Sequence, residues 1–239
     1  METPQARIDP IAEDTYRISV AIPPSQMPGG FSFNQYLVLD DKPLLFHTGP
    51  RRLFPLIRDR IESVLPVAKL RYVAFSHFEA DECGSLPDIL ALAPEAQPVC
   101  GSVAAMVSVS DLVDREIVAM EDGQVLSLGH HELVWQATPH LPHGWECGFL
   151  FDRTTATLFC GDLFTQPGTG GEPLTREDIL GPSEAFRREM DYFSHTREAP
   201  RMIEKLAALH PNVLACMHGS AWKGDGGTLL RRLGQALAA

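Results

Sequence analysis

Positive charge is scarce in this 239-residue chain, which has 20 Lys and Arg residues against 31 Asp and Glu and a net charge of −11. No run of basic residues is present that could follow a phosphate backbone. The acidic balance therefore excludes nucleic acid as the main partner and disfavours binding to anionic membranes.

Long apolar runs and paired cysteines are also missing. No stretch approaches the roughly 18 uninterrupted apolar residues of a membrane span, and the start of the chain lacks the basic and apolar regions of a secretory signal. The five cysteines are scattered, and none stands in a Cys-x-x-Cys pair, which favours buried reduced thiols over a disulfide framework. We therefore predict a cytoplasmic protein without a membrane segment.

Short β-rich segments alternate with helical ones along the chain. The predicted strands are Thr15–Ile22, Asn34–Asp40, Pro43–Thr48, Arg71–Ser76, Pro98–Cys100, Gln124–Leu128, Glu132–Ala137, Cys147–Asp152, Ala156–Cys160 and Asn212–Cys216. The predicted helices are Arg51–Val64, Leu86–Ala93 with Ser85 as its cap, Val103–Val113, Ser183–Leu209 with an interruption after Ser194, and Gly227–Ala239. Two hairpins do not fit a strict βαβ pattern, so two sheets covered by helices are predicted, in one domain over residues 1–239. The Gly- and Pro-rich segment Leu163–Pro173 is either a mobile flap or a plain surface loop.

Four loops that follow predicted strands carry histidine or carboxylate side chains. Their sequences are His77-Phe78-Glu79-Ala80-Asp81, His140-Leu141-Pro142-His143, Gly161-Asp162 and His218-Gly219. Alternate residues of an extended backbone share a face, so His77, Glu79 and Asp81 can point the same way. Two carboxylates this close would repel each other without a cation, so either a metal or a general acid/base pair accounts for them.

Together and in this order, these residues resemble the metallo-β-lactamase superfamily, whose pattern is His-x-His-x-Asp-His followed by a distant His, an Asp and a final His. The chain is more similar to the di-iron branch of that superfamily, the flavodiiron proteins and the flavin-free oxygen-binding di-iron proteins, in which Glu replaces the second His. The match runs from His77-x-Glu79-x-Asp81 through His143 and Asp162 to His218. The resemblance implies an α/β fold, an αββα four-layer sandwich with two metals in the cleft above the sheet edges.

The resemblance also implies a ligand set. It places iron 1 on His77, Glu79 and His143, iron 2 on Asp81 and His218, and Asp162 as the bridge between them. A carboxylate in place of an imidazole gives a harder, more anionic set, which suits iron or manganese better than zinc. We therefore expect two iron ions, with Mn or Zn as alternatives.

Two residues depart from the superfamily pattern. Glu82 stands where the first motif usually ends in His, so iron 2 is expected to carry either Glu82 or a water there. His47 stands where the superfamily usually has an Asp that orients the ligand loop, and it either takes over that role as a neutral hydrogen-bond donor or is structural. His140 and His143 are both candidates for the distant His ligand, and the spacing to Asp162 favours His143. His140 is then expected either to lie near the metals or to be exposed. Glu82 and His140 are the candidates for catalytic side chains beside the metals.

The implied activity is the binding of dioxygen and its reduction, in a sensing, storage or reductase role. No flavin and no flavodoxin domain are expected, so electrons would come from an external donor, and family members commonly pair as homodimers. A di-metal site also activates water, so hydrolysis of a thioester, lactone or other small ester or amide is the alternative reading. A third reading is a non-catalytic domain in which a metal serves stability or a partner interface.

Overall fold

The computed structural model describes residues 2–238, and its first sheet has seven strands in chain order. The first four strands pair antiparallel, and the last four pair parallel. The strands are β1 (Gln5–Ala12), β2 (Thr15–Ile22), β3 (Phe31–Val38), β4 (Leu44–Phe46), β5 (Tyr72–Ala74), β6 (Gln97–Gly101) and β7 (Val118–Met120). The pairing of β3 with β4 is the predicted opening hairpin.

The second sheet also has seven strands, in the order β12-β14-β13-β11-β10-β9-β8. They are β8 (Val125–Ser127), β9 (Glu132–Ala137), β10 (Gly148–Asp152), β11 (Thr157–Gly161), β12 (Leu174–Thr175), β13 (Val213–Cys216) and β14 (Ala221–Lys223). β10 and β11 form the second predicted hairpin, and β13 lies parallel to β11. Because β11 and β13 are parallel neighbours, the residues that follow them emerge at the same edge of the sheet.

Helices lie on the outer faces of the two sheets. The helices are α1 (Phe54–Glu62), α2 (Ala80–Cys83), α3 (Leu86–Leu92), α4 (Ser102–Ala104), α5 (Ser110–Leu112), α6 (Leu180–Met190), α7 (Ala199–Ala207) and α8 (Gly226–Leu237). A π-helical turn, Ala105–Val109, joins α4 to α5. The predicted helical region after residue 183 is therefore two helices, α6 and α7, with the expected interruption between them, and the predicted end of the last helix, Ala239, lies outside the described residues.

Neighbouring residues of each central strand point to opposite faces of its sheet, which produces three apolar layers. Leu45 packs between the first sheet and its helices, whereas Phe46 packs between the two sheets. In the second sheet, Phe149 faces helices α6–α8 and Leu150 faces the first sheet. The layer order is helix, sheet, sheet, helix, so the predicted αββα sandwich is confirmed.

Two local predictions differ from the structure. Ser85 does not cap α3, because its hydroxyl donates to the carbonyl of Gly49 at 3.0 Å and its amide donates to Thr48 Oγ1 at 3.0 Å. The Ser85 hydroxyl is therefore hydrogen bonded to the loop after β4 and not to the first turn of α3. The Gly-rich segment after β11 is anchored over part of its length, since residues 163–166 are buried and the carbonyl of Gly170 accepts a hydrogen bond from Arg17.

All five cysteines are buried free thiols, as predicted. Within residues 2–238, every helix is too short or too polar to traverse a lipid bilayer.

Candidate metal centre

The strand ends of both sheets deliver the predicted ligands to one place. His77 comes three residues after β5, Asp162 follows β11 directly, and His218 comes two residues after β13. His143 lies in the loop between β9 and β10, while the short helix α2 carries Asp81 and Glu82. The structure brings all six predicted metal ligands together at this edge, together with Glu82.

The first group of donors consists of His77, Glu79, His143 and Asp162, whose ligand atoms lie within 4.8 Å of one another. Glu79 Oε2 lies 3.2 Å from His77 Nε2 and 3.0 Å from His143 Nε2. Hydrogen bonds from His143 and His77 lower the pKa of Glu79 to about 2. Two imidazoles and two carboxylates are a suitable donor set for a divalent transition metal.

The second group consists of Asp81, Glu82 and His218, again within 4.8 Å of one another. His218 Nε2 lies 3.4 Å from Asp81 Oδ2. Burial alone would lower the pKa of His218, but Asp162 and Asp81 outweigh it and raise that pKa to about 10. This group has one imidazole and two carboxylates, so it is more anionic than an all-histidine site.

Asp162 lies between the two groups and presents a different oxygen to each. Its Oδ2 lies 3.4 Å from His143 Nε2 and 3.7 Å from His77 Nε2, whereas its Oδ1 lies 3.3 Å from His218 Nε2. Burial would raise the pKa of Asp162, but the His218 hydrogen bond and the neighbouring histidines hold it well below its usual range. A carboxylate shared in this way is the arrangement that a bridge between two metals requires.

In two of the histidines, a hydrogen bond at Nδ1 orients the ring so that Nε2 faces the other candidate metal ligands. Nδ1 of His218 donates to the backbone carbonyl of Ser32 at 2.7 Å, and Nδ1 of His77 lies 2.9 Å from Ser76 Oγ. Such contacts fix which nitrogen of an imidazole is free to bind a metal. Ser32 and Ser76 were not identified from the sequence, because no pattern connects either of them with its histidine.

The relay continues from Ser76 to His47, which is buried beneath the centre. Ser76 Oγ lies 3.0 Å from His47 Nε2, and His47 Nδ1 lies 3.0 Å from Met217 Sδ. Burial lowers the pKa of His47 to about 3, so the ring is neutral. Its Nδ1 carries the proton and points to sulfur, while Nε2 accepts from Ser76. The sequence left two roles open for His47, an orienting residue or a purely structural one. These contacts match a neutral residue that orients the loop carrying His77, except that His47 accepts the hydrogen bond from Ser76 instead of donating one.

A second set of contacts holds the turn that carries His218. Asn34 Nδ2 donates to the carbonyls of Cys216 and Gly219 at 2.9 and 2.8 Å, and Arg17 Nη2 donates to the same Gly219 carbonyl at 2.6 Å. Gly219 has φ +87°, and a Cβ there would lie 2.5 Å from Gln166. The His218-Gly219 turn is therefore held from both sides and needs a glycine.

Several predicted neighbours of the site lie elsewhere. His140 is exposed and lines a surface pocket with Arg187 and His195, so the structure does not bring this candidate catalytic residue to the donor groups. Its backbone adopts φ +65°, and its amide donates to the Gly144 carbonyl, which turns the side chain outward. His131, which lies outside the metal-ligand pattern, is buried against Asp152, with Nδ1 2.9 Å from Oδ2.

The aromatic residues beside the motif lie at the rim of the site. Phe78 and Trp145 are 41% and 58% exposed, so they flank the opening without sealing it. The amide of Phe78 donates to Glu146 Oε1 at 2.8 Å, which ties the two loops together.

The residues present fit a pair of hard cations. Glu82 Oε1 and Oε2 and His143 Nδ1 are buried without a hydrogen-bond partner among the described residues. Buried carboxylates of one sign are unfavourable unless a cation or donor compensates them. Two metal ions bound to the three imidazoles and four carboxylates of the two adjoining groups would supply that compensation.

Comparison with known proteins gives matches over most of the chain. The family model described as "ODP family beta lactamase" matches residues 31–219. A Synechocystis protein named as a diflavin flavoprotein is 30% identical over 200 residues, which cover 80% of this chain and 33% of the relative. A nitric oxide reductase of Moorella thermoacetica is 27% identical over 139 residues, covering 57% of this chain and 35% of the relative. The chain thus spans about a third of the length of these curated relatives.

Solved structures show the same fold. The metal-soaked Flv1 flavodiiron core from Synechocystis superposes with a TM-score of 0.81 and 25% sequence identity, covering 99% of this chain and 62% of the other.

Proposed function

Because the chain belongs to the ODP family of beta lactamases, we propose that it is a di-iron oxidoreductase that binds and reduces dioxygen. His77, Glu79 and His143 would hold one metal, Asp81 and His218 the other, and Asp162 both. The observation that carries the proposal is the position of Asp162, whose two oxygens face different histidine groups at 3.3 and 3.4 Å. Two irons bound here would supply electrons to a small diatomic molecule.

The donor set favours iron over zinc. Glu79, Asp81 and Asp162 contribute three negative charges among the six proposed ligands, and carboxylate oxygens suit iron and manganese better than zinc. The relative from Moorella thermoacetica is named a nitric oxide reductase, so nitric oxide is the second candidate substrate. The Glu79 side chain is 52% exposed, so molecules as small as dioxygen or nitric oxide would have access to it from solvent.

The protein's own residues would prepare the site for this chemistry. Ser32 and Ser76 set the orientation of two imidazoles, so the site keeps its shape when ions bind or leave. The exposed rim leaves access for an external electron donor, and pairing of two chains through α6 and α7 remains a further expectation.

The test is an anaerobic titration of the metal-free protein with Fe(II), followed by exposure to dioxygen or nitric oxide while visible absorption is recorded. Two irons per chain and new charge-transfer bands after exposure are the expected result. The matched variant Asp162→Asn should bind fewer than two irons and lose the response.

Binding of two irons without any response to either gas would contradict the redox proposal. If the iron-loaded protein does not respond to either gas and the zinc- or manganese-loaded protein cleaves a thioester or lactone, the chain is a hydrolase.

A further inference from the structure

Glu82 is a carboxylate that the proposed six-ligand set leaves unused. Its side chain is 0% exposed, and neither carboxylate oxygen has a hydrogen-bond partner among residues 2–238. The backbone around it is fixed, since the carbonyl of Glu82 accepts a hydrogen bond from the amide of Thr48 at 2.7 Å. The Glu82 carboxylate is therefore buried in the donor cluster without a hydrogen-bond partner, and it is not exposed to solvent.

The surroundings of Glu82 do not compensate a buried acid. The basic side chain within 4 Å of it in the described chain is His77, whose Nε2 lies 3.8 Å from Glu82 Oε2. Asp81 and Asp162 also lie close enough to repel its negative charge. Burying a carboxylate without a partner costs several kcal/mol. A cation bound between Glu82, Asp81 and His218, whose ligand atoms already lie within 4.8 Å of one another, would remove that cost.

We propose that Glu82 is a direct ligand of the second metal. This inference rests on the proposed two-metal function and resolves the choice between Glu82 and a water. The second metal then has Asp81, Glu82, His218 and the bridging Asp162, which is three carboxylates and one imidazole.

The position of Glu82 also decides the charge of the second site. The loop after His47 is hydrogen bonded to the helix that carries Glu82, through the amide of Thr48. With Glu82 as a ligand, three carboxylates and a single imidazole surround the second metal. A harder second site, selective for Mn(II) or iron over Zn(II), is the consequence.

The test is an anaerobic titration of the metal-free 239-residue chain with Mn(II), in which free Mn(II) is measured by electron paramagnetic resonance. The titration is then repeated in competition with Zn(II). The wild type should bind two ions. Glu82→Gln should bind one ion as the wild type does and the second at least about tenfold more weakly, since even supporting groups around a metal change affinity by 10–100-fold. Glu82→His should bind two ions but shift the second site toward Zn(II). Glu189→Gln, at an exposed acid of α6 outside both donor groups, is the matched control and should behave as wild type.

Thermal unfolding of the metal-free variants separates ligation from a structural role. A ligand carboxylate is unfavourable without its metal, so Glu82→Gln should be at least as stable as the metal-free wild type. Two Mn(II) ions bound by Glu82→Gln with wild-type affinities would overturn the inference while leaving the two-metal proposal intact. A wild type that binds fewer than two ions would instead refute the two-metal proposal itself.

Discussion

Removal of the Ser76 hydroxyl tests the relay beneath the first metal position. Ser76→Ala deletes two contacts at once, to His77 Nδ1 at 2.9 Å and to His47 Nε2 at 3.0 Å, and both rings are buried. Each buried polar group left without a partner costs roughly 1–3 kcal/mol. The amide of Ser76 lies 3.4 Å from His47 Nε2 and relieves part of the loss on that side. We therefore expect the free energy of unfolding of the metal-free protein to fall by about 2–4 kcal/mol.

The same change should weaken metal binding. A ligand histidine that loses its second hydrogen bond is free to rotate and to change tautomer, which typically lowers metal affinity about 10–100-fold. Urea unfolding of the chelator-treated protein measures the first effect, and an Fe(II) or Mn(II) titration measures the second. Ser183→Ala, in a buried position of α6 outside both donor groups, is the control. Unfolding free energy within about 0.5 kcal/mol of wild type and an unchanged dissociation constant would refute the role of the relay.

Other expectations follow from the core, from metal linkage and from a surface acid. Gly148→Ala would place a Cβ 2.3 Å from Trp135, so we expect a loss of about 1–3 kcal/mol in urea unfolding, and no loss would show that the indole moves aside freely. Chelation should lower the melting temperature of the metal-loaded wild type, because ions at a hundredfold excess over the dissociation constant contribute about 2.7 kcal/mol per site, and it should lower that of Asp162→Asn by less, because this variant binds fewer ions. Although burial raises the pKa of Asp40, hydrogen bonds from backbone amides outweigh this and lower it below its unfolded value. Its stabilisation is therefore present above the unfolded pKa and lost as pH falls through the folded pKa, so Asp40→Asn should flatten the acid side of the stability profile.

The motif residues could be predicted because their signal is local. His77, Glu79 and Asp81 stand in five consecutive positions after a strand, and the single acid after β11 supplies Asp162. Two sheets covered by helices could also be predicted, from the two hairpins and the mixed order of strands and helices, whereas the αββα layer order was implied by the family resemblance.

The supporting residues could not be predicted, because their roles depend on contacts between distant segments. Arg17 stands in an apolar strand and reaches Gly219, which is 202 positions away. The partner of His131 is Asp152 on a neighbouring strand, 21 positions later, so an isolated histidine in the sequence gives no sign of its burial. The sequence also left His140 as a possible neighbour of the metals, because the positive φ that directs its side chain outward cannot be read from the sequence.

The distribution of the donors along the chain constrains when the centre can be assembled during biosynthesis. The first group is complete in sequence at Asp162, but His218 follows only after β13 has been synthesised, and β13 must pair with β11 before β14 can join the sheet. A nascent chain that has emerged only as far as β11 offers an incomplete centre and an unfinished second sheet. Binding of two ions by the complete donor set can therefore take place only after the chain has been translated as far as His218.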